Sequence, residues 1–343
     1  MRTSPARAPS DYEGETGMKI TVFGAGAVGG MAAARLAQAG EEVSVVARGA
    51  TLETIRRDGL VLDDLDGRFD APVTATDDPA ELPIQDVLVL GMKAHQIAAA
   101  LPTLRPLLTD KTLVVPAING LPWWFFQGRE GPLAGARLDS LDPDGALADA
   151  FAPERLAGCV VYVASEIVAP GRIKSQGKRT WVLGSVADGG APGLAAFSEA
   201  LTRAGYEAPI VDDIRHAAWM KLWGNMWANP LSVATQATMG EMVSDDALRA
   251  TAKRMMVEAQ AIAAAVGVTL DMDLDKRVDE AAMGGLRDFR TSMLQDFDRN
   301  KPIELDAILG AIREIGRRLE VPHPVIDAIY GVVRLRAKTA GLG

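Results

Sequence analysis

The apolar and polar positions divide the chain into two parts with different periods. In the first part, short uninterrupted apolar runs recur at 20–23, 42–47, 86–91 and 112–117. Runs of that length predict strands buried on both faces, and helical stretches between them predict a parallel sheet. Weaker strands are expected at 60–61 and 73–75. Further on, 159–164, 172–175 and 180–183 are set off by Pro170-Gly171 and Gly177. They read as antiparallel strands appended to the same sheet. A helix at 191–204 and a short strand at 208–211 close this part. Residues 127–153, rich in Gly, Pro and Asp, read as an irregular insertion.

From Asp212 the strand signals stop and a helical period takes over. Helices are expected at 214–227, 244–266, 273–283, 302–320 and 323–338, with Ser244 as an N-cap and Gly267 as a stop. The expected organisation is a disordered tail at 1–17, an α/β domain at 18–211 and an all-helical domain at 212–343, with a cleft between the two domains.

The first strand runs directly into Gly24-Ala25-Gly26-Ala27-Val28-Gly29, followed by a helix of small residues to Gly40 and a second strand. Strand, G-x-G-x-x-G, helix and strand in that order predict a Rossmann-type dinucleotide site. Gly24 allows the tight turn, Gly26 lets a pyrophosphate approach the backbone, and Gly29 lets the helix sit close on the sheet. The free N–H groups at the helix start then hold the phosphates. Sites for NAD usually carry an acid about 20 residues beyond the glycines. This chain has Arg48 at the second strand's tip instead, which suits a 2′-phosphate and points to NADPH. Lys93 and Asn119 also stand just beyond strand ends, where ligands of open α/β sheets collect. Lys93 reads equally as a phosphate contact or a surface lysine. Asn119 reads as a ribose or substrate contact, or as half of an Asn-Gly turn.

The net charge of −9 argues against nucleic acid or an anionic membrane as partner. No run approaches the roughly 18 apolar residues of a membrane span. The polar N-terminus lacks an apolar core of the kind found in secretion signals, so a cytoplasmic protein is expected. The single cysteine, Cys159, lies in an apolar run and reads as a small buried hydrophobe. The three histidines are scattered and show no metal-ligand spacing, so no metal is expected.

Lys221, Asn225 and Asn229 stand four apart among Trp219, Leu222, Trp223, Met226 and Trp227. On a helix they share one face, a polar ladder on an otherwise apolar element. Carbonyl reduction needs such a ladder. Negative charge grows on the oxygen as hydride arrives, and a lysine ammonium can stabilise that charge and deliver the proton. Amides beside it fix the substrate without adding charge. Ser292 can donate to a carboxylate. Glu304 is placed to open a helix, where the dipole alone accounts for it, and it reads equally as a group that orients Lys221 or the substrate. The aromatic run at 123–126 reads either as local packing or as a wall of the substrate pocket.

Taken together, these motifs resemble the 2-dehydropantoate 2-reductase (ketopantoate reductase) family. The resemblance rests on the glycine motif, Arg48-Gly49, Lys93-Ala94, Asn119-Gly120, the K-x-x-x-N-x-x-x-N-P-L run at 221–231, S-M-L-Q-D at 292–296 and E-x-D at 304–306. It implies NADPH-dependent reduction of a 2-keto acid in the pantothenate pathway, with Lys221 as proton donor. It also implies that Glu304 assists near cofactor and substrate, that Asn119, Asn225, Asn229 and Ser292 hold the substrate, and that Arg48 and Lys93 hold the NADPH phosphates. Two features depart from the family pattern. Met239 replaces an asparagine before Gly240-Glu241, and the 123–126 aromatics with the insertion after them are extra. Both favour an alternative, the same chemistry on a bulkier carbonyl compound. A non-catalytic NADPH-binding module is a third reading, against which the complete polar set argues. Apolar surface on the last helices could serve a homodimer.

Overall fold

The structure is a computed structural model that describes residues 17–342. All but Gly17 of the expected tail lies outside the described residues. The first five-stranded sheet is built from β1 (Lys19–Phe23), β2 (Glu42–Val46), β5 (Thr74–Thr76), β6 (Val87–Leu90) and β7 (Leu113–Pro116). Its order is β5-β2-β1-β6-β7 and every pairing is parallel. The connections are α1 (Ala27–Gln38), α2 (Gly49–Asp58) and α3 (Ala94–Leu104). Strand order reverses between β1 and β6, so a crevice opens at their carboxyl ends, where doubly wound sheets bind ligands.

The strands expected to extend this sheet form a second one instead. Here β3 (Leu60–Asp64) and β4 (Gly67–Ala71) join β8 (Ala157–Ala169) and β9 (Arg172–Ser185) in the order β4-β3-β9-β8. The physical reason lies in α1. Its Met31, Ala32, Ala33, Ala34 and Leu36 are fully buried in a core shared by both sheets. A Cβ at Gly29 would collide with the Gly24 carbonyl below, and one at Gly30 would lie 2.5 Å from Ile173 of β9 above. The small-residue helix is therefore sandwiched, and the second sheet covers it from the far side. Gly177 makes no turn. It lies within β9 at φ +131°, where the register between β8 and β9 slips. The expected strand at 208–211 reduces to single bridges, such as Leu183 with Ile210.

The insertion holds one short helix, α4 (Ala146–Ala150), and α5 (Leu194–Arg203) leads to the helical part. That part comprises α6 (Ile214–Thr235), α7 (Met239–Ser244), α8 (Asp246–Ala265), α9 (Leu274–Glu280), α10 (Ser292–Asp298), a π-helical turn at Asp306–Gly310 continuing as α11 (Ala311–Arg318), and α12 (Pro324–Thr339). Helix α6 runs past Pro230 rather than stopping at 227. Its buried Trp219, Trp223, Trp227 and Leu231 are enclosed by the other helices, and that packing outweighs the one backbone bond the proline removes. Ser244 ends α7, and the cap of α8 is Asp245, which accepts from the Leu248 N–H. Helix α10 was not anticipated. It is only two turns long, and its Thr291 N-cap marks it better than any apolar period does.

Candidate active site

The residues expected to act together fall into three groups. The first is the glycine loop. Gly24 takes φ +104°, which only glycine adopts without strain, and its N–H donates to Val46 O at 3.0 Å. Gly24 and Gly29 lie against Gly91 at the end of β6. Gly26 differs from both. Its φ is −71°, and a Cβ built there meets only the Gly91 carbonyl, at 3.4 Å. Neither backbone strain nor a protein neighbour forbids a side chain at 26, so the open space beside it fits a bound pyrophosphate. Ala25, Ala27 and Val28 line the same half-exposed turn, and α1 starts at Ala27 with no side-chain cap on its free N–H groups. On this observation the residues fit a dinucleotide. Arg48 is exposed at the tip of β2 and makes no hydrogen bond or ion pair among the described residues.

The second group joins the two halves of the chain. Lys93, just before α3, donates to Asp296 of α10 at 2.5 Å and to Glu304 at 3.1 Å. Burial acts to lower its pKa, and attraction by Glu304 and Asp296 outweighs that and leaves it raised. Lys93 is thus neither a plain surface lysine nor a free cation. Glu304 is 8% exposed and also accepts from the Ala94 N–H, at 3.4 Å. It precedes the π-helical turn rather than opening a regular helix. Asp296 was missed as a partner. It was visible as the last residue of S-M-L-Q-D, but nothing in a linear sequence says that it meets Lys93.

The third group surrounds Lys221. Its ammonium donates to Asn119 Oδ1 and to the Val161 carbonyl, both at 2.7 Å. It also lies 5.7 Å from the centre of the Tyr162 ring. Burial pulls its pKa down from 10.5 to about 8, against a smaller opposing attraction by Glu304. Burial raises the pKa of Cys159, so the thiol stays neutral. Lys221, Asn225, Gly120 and Cys159 line one small cavity. The Leu121 N–H donates to Ala307 O at 2.7 Å, fastening the Asn119 turn beside the segment that carries Glu304. Asn225 is half-buried and Asn229 is buried, and neither side-chain amide makes a hydrogen bond among the described residues. The Ser232 and Thr291 hydroxyls meet at 2.6 Å, tying α6 to the start of α10, where Ser292 stands exposed.

The aromatic run forms no pocket wall. Trp123 packs 5.6 Å from Phe151 and Phe125 packs 5.5 Å from Trp219, all of them buried. Arg215 pins the run by donating to the carbonyls of Phe125, Gln127 and Val186. Met239 is likewise buried, in the core of the helical part.

Comparison with known proteins agrees with this geometry. The family model described as Ketopantoate reductase PanE/ApbA matches residues 20–188, and its C-terminal companion matches 213–337. A 2-dehydropantoate 2-reductase from Mesorhizobium japonicum is 44% identical over 325 residues, covering 94% of this chain and 99% of the relative. Among solved structures, a candidate ketopantoate reductase from Ralstonia solanacearum MolK2 is 41% identical with a TM-score of 0.90, covering 95% of this chain and 99% of that one. The 2-dehydropantoate 2-reductase from Methylococcus capsulatus is 26% identical with a TM-score of 0.80, covering 94% and 98%.

Proposed function

The chain belongs to the ketopantoate reductase family, and from that premise we propose that it reduces 2-dehydropantoate to pantoate with NADPH. The observation that carries the reading is the Lys221 ammonium, held on Asn119 at the end of β7 with its pKa lowered to about 8. The bound nicotinamide cofactor supplies the hydride. The protein supplies the rest. Lys221 faces the growing oxyanion, gives its proton to that oxygen, and regains one from solvent. The free amides of Asn225 and Asn229 and the hydroxyl of Ser292 orient the keto acid. Asn119 fixes the ammonium. Glu304, held by Lys93 and the Ala94 N–H, presents a carboxylate at the crevice. The glycine loop and Arg48 hold the phosphates.

The bulkier-substrate alternative rested on the 123–126 aromatics and Met239. Both are core residues, so neither favours it now. We take the division at about residue 211 as the boundary between cofactor and substrate domains. No described helix is long and apolar enough to cross a membrane. We place the enzyme in the cytoplasm, with the free Cys159 thiol in keeping with a reducing compartment. Pairing of two copies through the last helices is part of the same proposal. Exposed Val332 and Leu335 on α12 support it.

The test is direct. Purified protein with ketopantoate should consume NADPH and release pantoate in equal amounts. NADPH binding without turnover of any 2-keto acid would leave only the non-catalytic module.

A further inference from the structure

A 2-keto acid brings a carboxylate as well as a carbonyl. In the arrangement above, the one ammonium beside the oxyanion is already committed to it, and Asn225, Asn229 and Ser292 offer only neutral donors. A second cation would add a charge-assisted contact to the carboxylate, and α9 provides one. Arg277 lies against α6 over Gly224. Its Nη2 donates to Met220 O at 3.3 Å, and a Cβ at 224 would come within 3.0 Å of that nitrogen and 3.6 Å of Cζ. A side chain at 224 would crowd the guanidinium where it rests. Gly224 is three residues beyond Lys221, so the two positions are neighbours on the helix surface.

Arg277 is also under-partnered. Its Nε is sealed from solvent without an acceptor, and it forms no ion pair among the described residues. Of the acids on its own helix, Asp275 pairs with Arg249 and Lys253 and Asp279 with Arg249, while Glu280 makes no ion pair with Arg277. Its field reaches Tyr162, where it opposes the rise in phenol pKa that burial causes. The same Tyr162 ring lies beside Lys221. Tyr162 thus feels two cations from the helical part, Lys221 beside its ring and bound to Asn119, and Arg277 without a counter-charge. A guanidinium fork matches a carboxylate in two parallel hydrogen bonds, which an ammonium cannot do.

We propose that Arg277 is a substrate-binding residue whose terminal nitrogens grip the carboxylate of the keto acid and so select acids over neutral carbonyl compounds. This rests on the reductase reading above. The competing candidate is Lys178, whose Nζ lies 5.0 Å from the Tyr162 ring but which is solvent-exposed and unfixed.

The experiment compares ketopantoate with its primary amide, which keeps the carbonyl and lacks the charge. In Arg277→Met, KM for the acid should rise roughly 100-fold, with kcat changed only a few-fold. KM for the amide and for NADPH should stay at wild-type values. Arg277→Lys keeps the charge without the fork and should fall between, so the ratio remains readable if the methionine variant does not fold. Lys178→Ala should leave the acid-to-amide preference intact. An unchanged preference in Arg277→Met, or its loss in Lys178→Ala, overturns the assignment while leaving the reductase in place. A wild-type enzyme that reduces no 2-keto acid removes both.

Discussion

Lys221 Nζ sits 2.7 Å from Asn119 Oδ1, and that hydrogen bond joins a helix of the C-terminal part to the end of a strand in the parallel sheet. It positions the proton donor from the sheet side, where the cofactor loop also lies. Lys221→Ala removes both the donor and the charge that meets the oxyanion. We expect kcat to fall by roughly 10²–10⁴ while NADPH affinity stays near wild type. Fluorescence titration with NADPH, read beside initial rates, separates the two. Unaltered turnover in this variant would take the donor role from Lys221.

The depressed pKa of the same ammonium sets a pH dependence. Lys221 is charged below about pH 8 and neutral above it. Reduction should therefore slow as pH rises through about 8, and the reverse oxidation of pantoate should speed up over the same range. The stability effect has a definite sign as well. The unfolded chain keeps this proton up to the ordinary lysine value of 10.5, so between about pH 8 and 10.5 it binds more protons than the native state. The Lys221 contribution to stability rises with pH across that window. A rate profile for reduction that stays level across pH 8 would contradict the shift.

The glycine loop gives a paired test in which fold and ligand separate. A Cβ at Gly29 runs into the Gly24 carbonyl, which is backbone and cannot step aside. Gly29→Ala should destabilise the protein by about 1–3 kcal/mol, visible as a lowered melting temperature without ligand. At Gly26 the added methyl meets only Gly91 O, at 3.4 Å. Gly26→Ala should melt close to wild type and yet bind NADPH at least ten-fold more weakly. Equal losses of stability in both variants would mean that Gly26 serves packing alone.

The sequence was most legible where function depends on local spacing. The glycine motif, the ladder of Lys221, Asn225 and Asn229 at a spacing of four, and the parallel strands all follow from short-range patterns. It was least legible where two distant segments decide the outcome. Strand β9 reads the same whether it extends the first sheet or covers α1 in a second one, and only tertiary contacts such as Ile173 above Gly30 tell the difference. Pro230 reads as a helix end, because the enclosure of α6 by other helices is a tertiary fact. Trp123 and Phe125 read as either wall or core for the same reason. Asp296 and Arg277 were invisible as partners of Lys93 and Gly224, since 203 residues separate the first pair and no motif links the second.

Arg48 bears on the choice of cofactor. It stands at the tip of β2, the strand end that meets the adenosine ribose in this fold class, and no acid occupies the tip to bind a 2′-hydroxyl. Its side chain is exposed and unpaired among the described residues, so nothing must be broken before it meets a phosphate. Arg56, on the helix that Arg48 precedes, is already engaged with Asp77 and the Ala75 carbonyl. Removing Arg48 should therefore cost the charge-assisted contact to the 2′-phosphate and little else. We expect Arg48→Ala to raise KM for NADPH by roughly 10–100-fold, with kcat held and KM for NADH nearly unchanged. The preference for NADPH over NADH should shrink by the same factor, and the melting temperature should not move. Initial rates with both cofactors at saturating keto acid measure this. A parallel rise in both Michaelis constants would show that Arg48 holds the loop rather than the phosphate.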